Sequence, residues 1–258
     1  MAIITITRGV FSKGREVAEK VAERLGYHSI SREVVQNTSD IFHIPREKLE
    51  QAFHDAPSIF QRFSLEKRKY ITYVVAEVLD CFKKDKVVYH GLAGNLFLSD
   101  ITHISEKILA YFKNGNVSYN GIAGRARRVS HLINVRLVVN WEDRIFEAMK
   151  KQDMTREQAQ FFLKKEDNAR KIWSRRFYGV DDTDLTLYDL VIHLDKLSVE
   201  DAVDIIIETV SRPKFIVTPH SQLALENMAL SARIRSELWD EYPDCEVIAE
   251  GTAVEVFL

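Results

Sequence analysis

The sequence predicts an α/β fold, a parallel sheet flanked by helices with a small C-terminal α/β appendage, and three observations carry that reading. Short β-branched runs recur at residues 2–7, 87–89, 135–139 and 190–194, and most are apolar throughout, which marks strands buried on both faces. Helical patterns lie between them, and strands that alternate with helices pair in parallel. After Arg212-Pro213 the pattern changes to one helix and two short strand-like runs.

The first run leads through a short loop into a helix over residues 15–25. Val17, Ala18, Val21, Ala22 and Leu25 form its apolar stripe, and Gly26 follows as a stop. Residues 33–83 read as mostly helical with breaks at Pro45 and Pro57, a long excursion between the first and second of these strands that is suited to covering a substrate. Residues 99–130 carry turn signals at Asn114-Gly115 and Asn120-Gly121 and stand outside the alternation, as an insertion. Thr155 and Gln158 make a capping-box pattern that opens a helix through Phe161, Phe162 and Lys165 towards the basic segment 170–176. Ser198 starts a last amphipathic helix whose Val203, Ile206, Ile207 and Val210 face the sheet. The core domain is therefore expected over residues 1–211 and the appendage over 212–258, with a helix at 223–238 and strands at 246–249 and 253–258.

A chain of 258 residues is long enough for such a domain with an appendage. Its 36 Lys and Arg against 38 Asp and Glu leave a net charge of −2, so nothing global favours a nucleic-acid or membrane-surface partner, and any anion site must be local. Cys81 and Cys245 lack disulfide or zinc spacing. The apolar start lacks a basic lead-in, and no apolar run approaches the ~20 residues that span a bilayer. A cytoplasmic location is expected.

The first strand is followed by Gly9-Val-Phe-Ser-Lys-Gly14-Arg15-Glu16 and then at once by the helix. This is G-x-x-x-x-G between strand and helix, the context of a P-loop NTPase-type sheet. Glycines let backbone N–H groups approach phosphate oxygens, and the helix N-terminus adds partial positive charge. On that reading Gly9, Ser12, Lys13, Gly14, Arg15 and Glu16 hold the nucleotide phosphates. A plain βα turn with two glycines fits the letters equally well. Arg15 and Glu16 stand where the motif usually has Lys and Ser or Thr, and Lys13 is the other candidate ammonium. On a helix Asp167 and Arg170 share a face, so the carboxylate can orient the guanidinium towards a phosphate. His90 and Gly91, with Tyr89 and Gly94, stand at a strand end, where ligands of α/β sheets bind. Arg125, Arg127 and Arg128 are the densest basic cluster, without aromatic interleaving, and read as a solvated patch. The eight histidines show no metal-ligand spacing.

The runs Ile4-Thr-Ile-Thr-Arg8, Gly14-Arg15-Glu16-Val17-Ala18, Leu25-Gly26-Tyr27 and Arg32-Glu33-Val34, then Val135-Arg136-Leu137-Val138, Glu142-Asp143-Arg144, Asp167-x-x-Arg170 and Tyr188-Asp189-Leu190-Val191-Ile192, resemble the cytidylate-kinase-like proteins over residues 2–210. That family replaces the loop lysine by arginine. The resemblance implies helical monophosphate-binding and lid regions, and ATP-dependent phosphoryl transfer to a nucleoside monophosphate such as CMP, with ATP and Mg²⁺ as cofactors. It implies Arg15, Asp167, Arg170, Arg175 and Arg176 as catalytic residues, with Gly179 as a lid hinge, and Arg32 on the acceptor phosphate. Asp143 and Arg144 match a helix start, where an ion pair between them is the simple account. A catalytically weak nucleotide-binding protein is the alternative. Residues 225–238 and 245–248 resemble the opening of a BON domain, a module linked to membrane or ligand association; a helix and hairpin packed on the core explains the same residues, and an exposed edge at Val254, Val256 and Leu258 would give a protein partner a place to pair.

Overall fold

The computed structural model describes residues 2–31, 33–54, 64–91, 94–97, 129–178, 180–243 and 245–258, without the side chains of 53, 54, 97 and 176. Five strands, β1 (Ile3–Arg8), β2 (His28–Ile30), β3 (Val87–Tyr89), β4 (Leu132–Val139) and β5 (Leu190–Leu194), form one sheet in the order β2-β3-β1-β4-β5, every pair parallel. The P-loop NTPase-type sheet is thus the architecture of the chain. β2 is absent from the sequence pattern because three residues, one of them Ser29, are too few to show a period. Backbone pairing recruits it: His28 N–H donates to Lys86 O at 2.8 Å, and His28 stands in register with Val87.

The helices are α1 (Gly14–Leu25), α2 (Glu33–Phe42), α3 (Arg46–His54), α4 (Leu65–Phe82), the short α5 (Gly94–Phe97), α6 (Trp141–Gln152), α7 (Arg156–Tyr178), α8 (Val199–Val210) and α9 (Pro219–Leu238). Alternation along β1 divides them into two layers. Ile4 and Ile6 pack with Val17, Ala18 and Val21 of α1 and with Ala202, Val203 and Ile206 of α8. Ile3 faces the other way, into a cluster with Ile71, Val75 and Val78 of α4 and Leu225, Met228 and Ala229 of α9. A fully buried Val or Ile contributes ~1.5–3 kcal/mol, more than a typical cap. The apolar stripes therefore set where the helices lie, and the caps set where they stop. Gly26 ends α1 at φ 65°, its N–H bonding back to Ala22 and Glu23; Ser198 and Asp201 cap α8 reciprocally. Thr155 and Gln158 form the expected box at the start of α7, with Thr155 N–H donating to Gln158 Oε1 at 2.8 Å.

The C-terminal helix begins at Pro219, four residues ahead of the apolar pattern at 223, because Thr218 accepts from Ser221 N and Pro219 supplies a helical φ without needing a partner for a missing N–H. α9 lies along α4. Arg233 donates to Glu77 and Asp80 of α4 and stands 5.9 Å over the Phe42 ring. β6 (Glu246–Glu250) and β7 (Ala253–Phe257) form an antiparallel hairpin, tied to α9 by Ala249 N–H on Ser231 Oγ at 2.9 Å. The chain beyond residue 212 is therefore a helix and hairpin whose helix shares the core.

Candidate functional site

Leaving β1 the chain turns to β2 and β3 on one side of it, and afterwards crosses to β4 and β5 on the other. Loops diverge at such a switch point and leave a crevice outside the carboxyl ends of the strands. A cavity of about 370 Å³ occupies this place, between the ends of β1 (Thr7, Arg8) and β4 (Val138, Val139), the loop residues Gly9 and Ser12, and the helices α6 and α7. Six cationic side chains line it, Arg8, Arg136, Arg144, Lys164, Arg170 and Lys171, against two carboxylates, Asp167 and Asp182. In a chain of net charge −2, this is a local excess of cationic side chains that composition could not reveal.

The β1–α1 loop is held by its side chains as much as by glycine. Phe11 and Lys13 have φ of 57° and 54°, left-handed values that cost a non-glycine residue roughly 1–2 kcal/mol each. Val10 and Phe11 offset this by packing on the small core of Ile145, Ala148, Ala159 and Leu163 between α6 and α7. Ser12 is buried, and its hydroxyl donates to Gly9 O at 2.7 Å. Gly9 and Gly14 have steric reasons beyond phosphate approach. A Cβ on Gly9 would lie 3.0 Å from Arg144 Cζ, and one on Gly14 would lie 2.3 Å from Arg8 Cδ.

Arg144 joins the parts. Its Nε donates to Val10 O at 3.0 Å, its Nη1 and Nη2 reach both oxygens of Asp167 at 2.8 Å, and its guanidinium stands 5.6 Å over the Trp141 ring. Two expectations are corrected here. Arg144 pairs with Asp167 of α7 and not with Asp143, and Asp167 is spent on Arg144 and not on Arg170. Arg170 instead donates to the Arg8 carbonyl at 2.6 Å from a partly buried position, where desolvation pushes its pKa down. Sequence spacing finds neighbours on one helix; these partners lie on different elements.

The remaining predicted residues divide. Gly9, Ser12, Asp167 and Arg170 meet at the cavity. Lys13 is exposed at the α1 N-cap. Arg15, whose side chain is 73% exposed, turns along α1 to Glu19 at 2.7 Å, a partner that raises its pKa. Glu16 lies on the outer face of α1, 3.8 Å from Lys20. Arg175 holds Asp181 at 2.6 Å outside the cavity lining. His90 is buried beyond β3, and burial followed by the charge of Arg8 lowers it to about 4. Gly91 closes on Tyr89, whose hydroxyl would be 2.7 Å from a Cβ there. Beside them Thr7 Oγ1 donates to Asn95 Oδ1 at 3.1 Å. Arg32, Gly179, Arg125, Arg127, Arg128, the Arg176 side chain and residues 99–128 lie outside the described residues.

Arg8, Arg136, Arg144 and Asp182 were not assigned to the site by sequence reasoning. A charged residue at the carboxyl end of a buried parallel strand was the available signal for Arg8, and a charged residue inside a largely apolar strand was the signal for Arg136. Asp182 sits in an Asp181-Asp-Thr-Asp184 run that reads as a turn. Its backbone carbonyl accepts from Arg136 Nη1 at 2.5 Å and from the Tyr188 hydroxyl at 2.8 Å. Its carboxylate Oδ1 is buried without a hydrogen-bond partner among the described residues, and burial raises its pKa. Among the described residues no three His, Cys, Asp or Glu side chains are arranged to hold a metal by themselves, and no helix is long and apolar enough to cross a membrane.

The model of the cytidylate kinase-like family matches residues 3–196. No curated protein sequence matches the chain. Among solved structures, an uncharacterized protein from Eubacterium ventriosum is similar at 20% identity and a TM-score of 0.52, over 82% of this chain and 99% of that one. A shikimate kinase from Bacteroides thetaiotaomicron aligns at 11% identity and a TM-score of 0.43, over 82% and 99%. A deoxyadenosine kinase from M. mycoides with bound dATP aligns at 14% identity and 0.39, over 82% and 100%.

Proposed function

The chain belongs to the cytidylate kinase-like family, and on that premise we propose that it transfers the terminal phosphoryl group of ATP to a nucleoside monophosphate such as CMP. The observation that carries the reading is the surplus of cations in the cavity at the β1–β4 switch point, directly beside the β1–α1 loop. Phosphoryl transfer demands little covalent chemistry from a protein: it demands that donor and acceptor be held in line and that charge on the transferring group be neutralised. Loop amides and the α1 N-terminus hold the donor phosphates in this reading, while Arg8, Arg136 and Arg170 surround the group in transfer. Arg144 fixes the loop against α7, so that loop and lid move together. An oxygen of the acceptor phosphate attacks the terminal phosphorus, the bond to the bridging oxygen breaks, and ADP leaves. Mg²⁺, which membership of the family implies, neutralises phosphate charge when bound.

One observation favours the alternative, a nucleotide-binding protein with little turnover. Arg15, the family's replacement for the loop lysine, is engaged with Glu19 on the solvent face. The two readings separate in one titration. ATP is added to the protein with and without Mg²⁺, then each nucleoside monophosphate, while heat and ADP are followed. Micromolar ATP binding, about −8 kcal/mol, with ADP released on adding one monophosphate is the expected result. Binding without ADP release supports the alternative, and no binding at millimolar ATP removes both.

A further inference from the structure

The cavity holds a carboxylate, Asp182, on which the charges of Arg136 and Arg170 act but whose Oδ1 makes no hydrogen bond among the described residues. Asp182 lines it from the segment after α7, and the main chain there is clamped by the bonds of Arg136 and Tyr188 to the Asp182 carbonyl. The residue is therefore placed, yet its Oδ1 is buried with no hydrogen-bond partner among the described residues. A desolvated carboxylate oxygen is costly unless something satisfies it. Anionic phosphates entering the cavity make the conflict worse, since they repel Asp182 while the surrounding arginines attract them. The other carboxylate of the cavity, Asp167, has both oxygens on Arg144. One cation that enters together with phosphates resolves the conflict, because it is attractive to both. Magnesium is held by one or two carboxylates, several waters and the phosphates themselves, and does not need a full protein cage. The absence of a three-residue cluster among the described residues is compatible with that mode.

We propose that Asp182 is the protein-side anchor of the divalent cation that accompanies the donor polyphosphate, through its Oδ1 directly or through one metal-bound water. The inference rests on the reading of the cavity as a nucleotide-phosphate site and deepens it by naming the metal-facing residue. Ser12, the hydroxyl within the loop, is committed to Gly9 O.

The test compares the whole chain with Asp182→Asn, which keeps shape and removes charge. Thermal unfolding without nucleotide checks the fold: Asp182 Oδ1 makes no hydrogen bond among the described residues, so the isosteric change leaves the melting temperature close to that of the unaltered chain. ATP affinity is then measured by calorimetry with EDTA and with Mg²⁺, and Mn²⁺·ATP binding by electron paramagnetic resonance. A charge-assisted contact of ~1.5–3 kcal/mol corresponds to a roughly tenfold to hundredfold strengthening of ATP binding by the metal. The expected result is that strengthening in the unaltered chain and its loss in Asp182→Asn, which binds metal-free ATP as well as before or better. Asp182→Ser, which opens space for one more water, keeps the same loss. Equal metal dependence and equal Mn²⁺ spectra in the three proteins overturn the assignment of Asp182 and leave the nucleotide site standing. No ATP binding by the unaltered chain, with or without metal, overturns both.

Discussion

Replacing Arg144 by Met tests how loop and lid are joined. The side chain is 11% exposed and that of Asp167 40%, so solvent reaches the pair mainly at the carboxylate, and its two charge-assisted bonds belong at the low end of their range, about 1.5–2 kcal/mol together. The Val10 carbonyl loses its donor at a further cost of about 1 kcal/mol. Methionine also removes the guanidinium from above the Trp141 ring, about 0.5 kcal/mol. The sum is roughly 3 kcal/mol, which for a chain of this size lowers the melting temperature by roughly 6–12 °C. A double-mutant cycle with Asp167→Asn, followed by urea unfolding, isolates the pair and should give a coupling of about 1.5 kcal/mol. In the same proteins ATP affinity should fall at least tenfold, because the loop loses its tether to α7. A coupling below about 0.5 kcal/mol, with nucleotide affinity unchanged, would refute the view that Arg144 organises the site.

The buried His90 makes stability depend on pH. Its folded pKa is lowered to about 4 from 6.5, so the unfolded chain binds the proton first; the contribution of His90 is complete above pH 6.5 and is lost as the pH falls through 4, about 3 kcal/mol in all. Urea unfolding between pH 7 and pH 4 should show a shallower decline in His90→Gln, and parallel declines would count against the assignment. Gly14→Ala sets a helix-propensity gain of about 0.5–1 kcal/mol against overpacking of about 1–3 kcal/mol. The new Cβ meets Arg8 Cβ at 2.9 Å as well as Cδ, so the backbone must yield, and both stability and phosphate affinity should drop; a more stable variant with unchanged affinity contradicts this. Arg233→Met leaves Glu77, 7% exposed, without its cation, at about 3 kcal/mol. Limited proteolysis between α8 and α9 should accelerate, and an unchanged cleavage rate would mean that the ion pair does not hold α9 on α4.

The sequence by itself determined the class of fold and most of its elements, because the signals involved are local. Apolar runs without alternation marked β1, β3, β4 and β5 as strands, and β1 and β3 are covered on both faces as that pattern implies, whereas β5 leaves Val191 and His193 exposed on one face; the stripe of α1 and its Gly26 stop lie within one window, and the capping residues of α7 and α8 stand beside the helices they cap. The two glycines of the β1–α1 loop were legible for the same reason. Only the tertiary structure decided strand order, the recruitment of β2, the sharing of the core by α9, and the membership of the site. Arg144 and Asp167 are 23 residues apart, and Arg170 reaches Arg8 across 162; such pairs are set by the packing of α6 and α7 over the sheet, and no periodicity encodes them. Asp182 lay in a turn-forming run, where a short carboxylate reads as a loop former. Its buried oxygen, without a hydrogen-bond partner among the described residues, became visible only when the chain had closed around it.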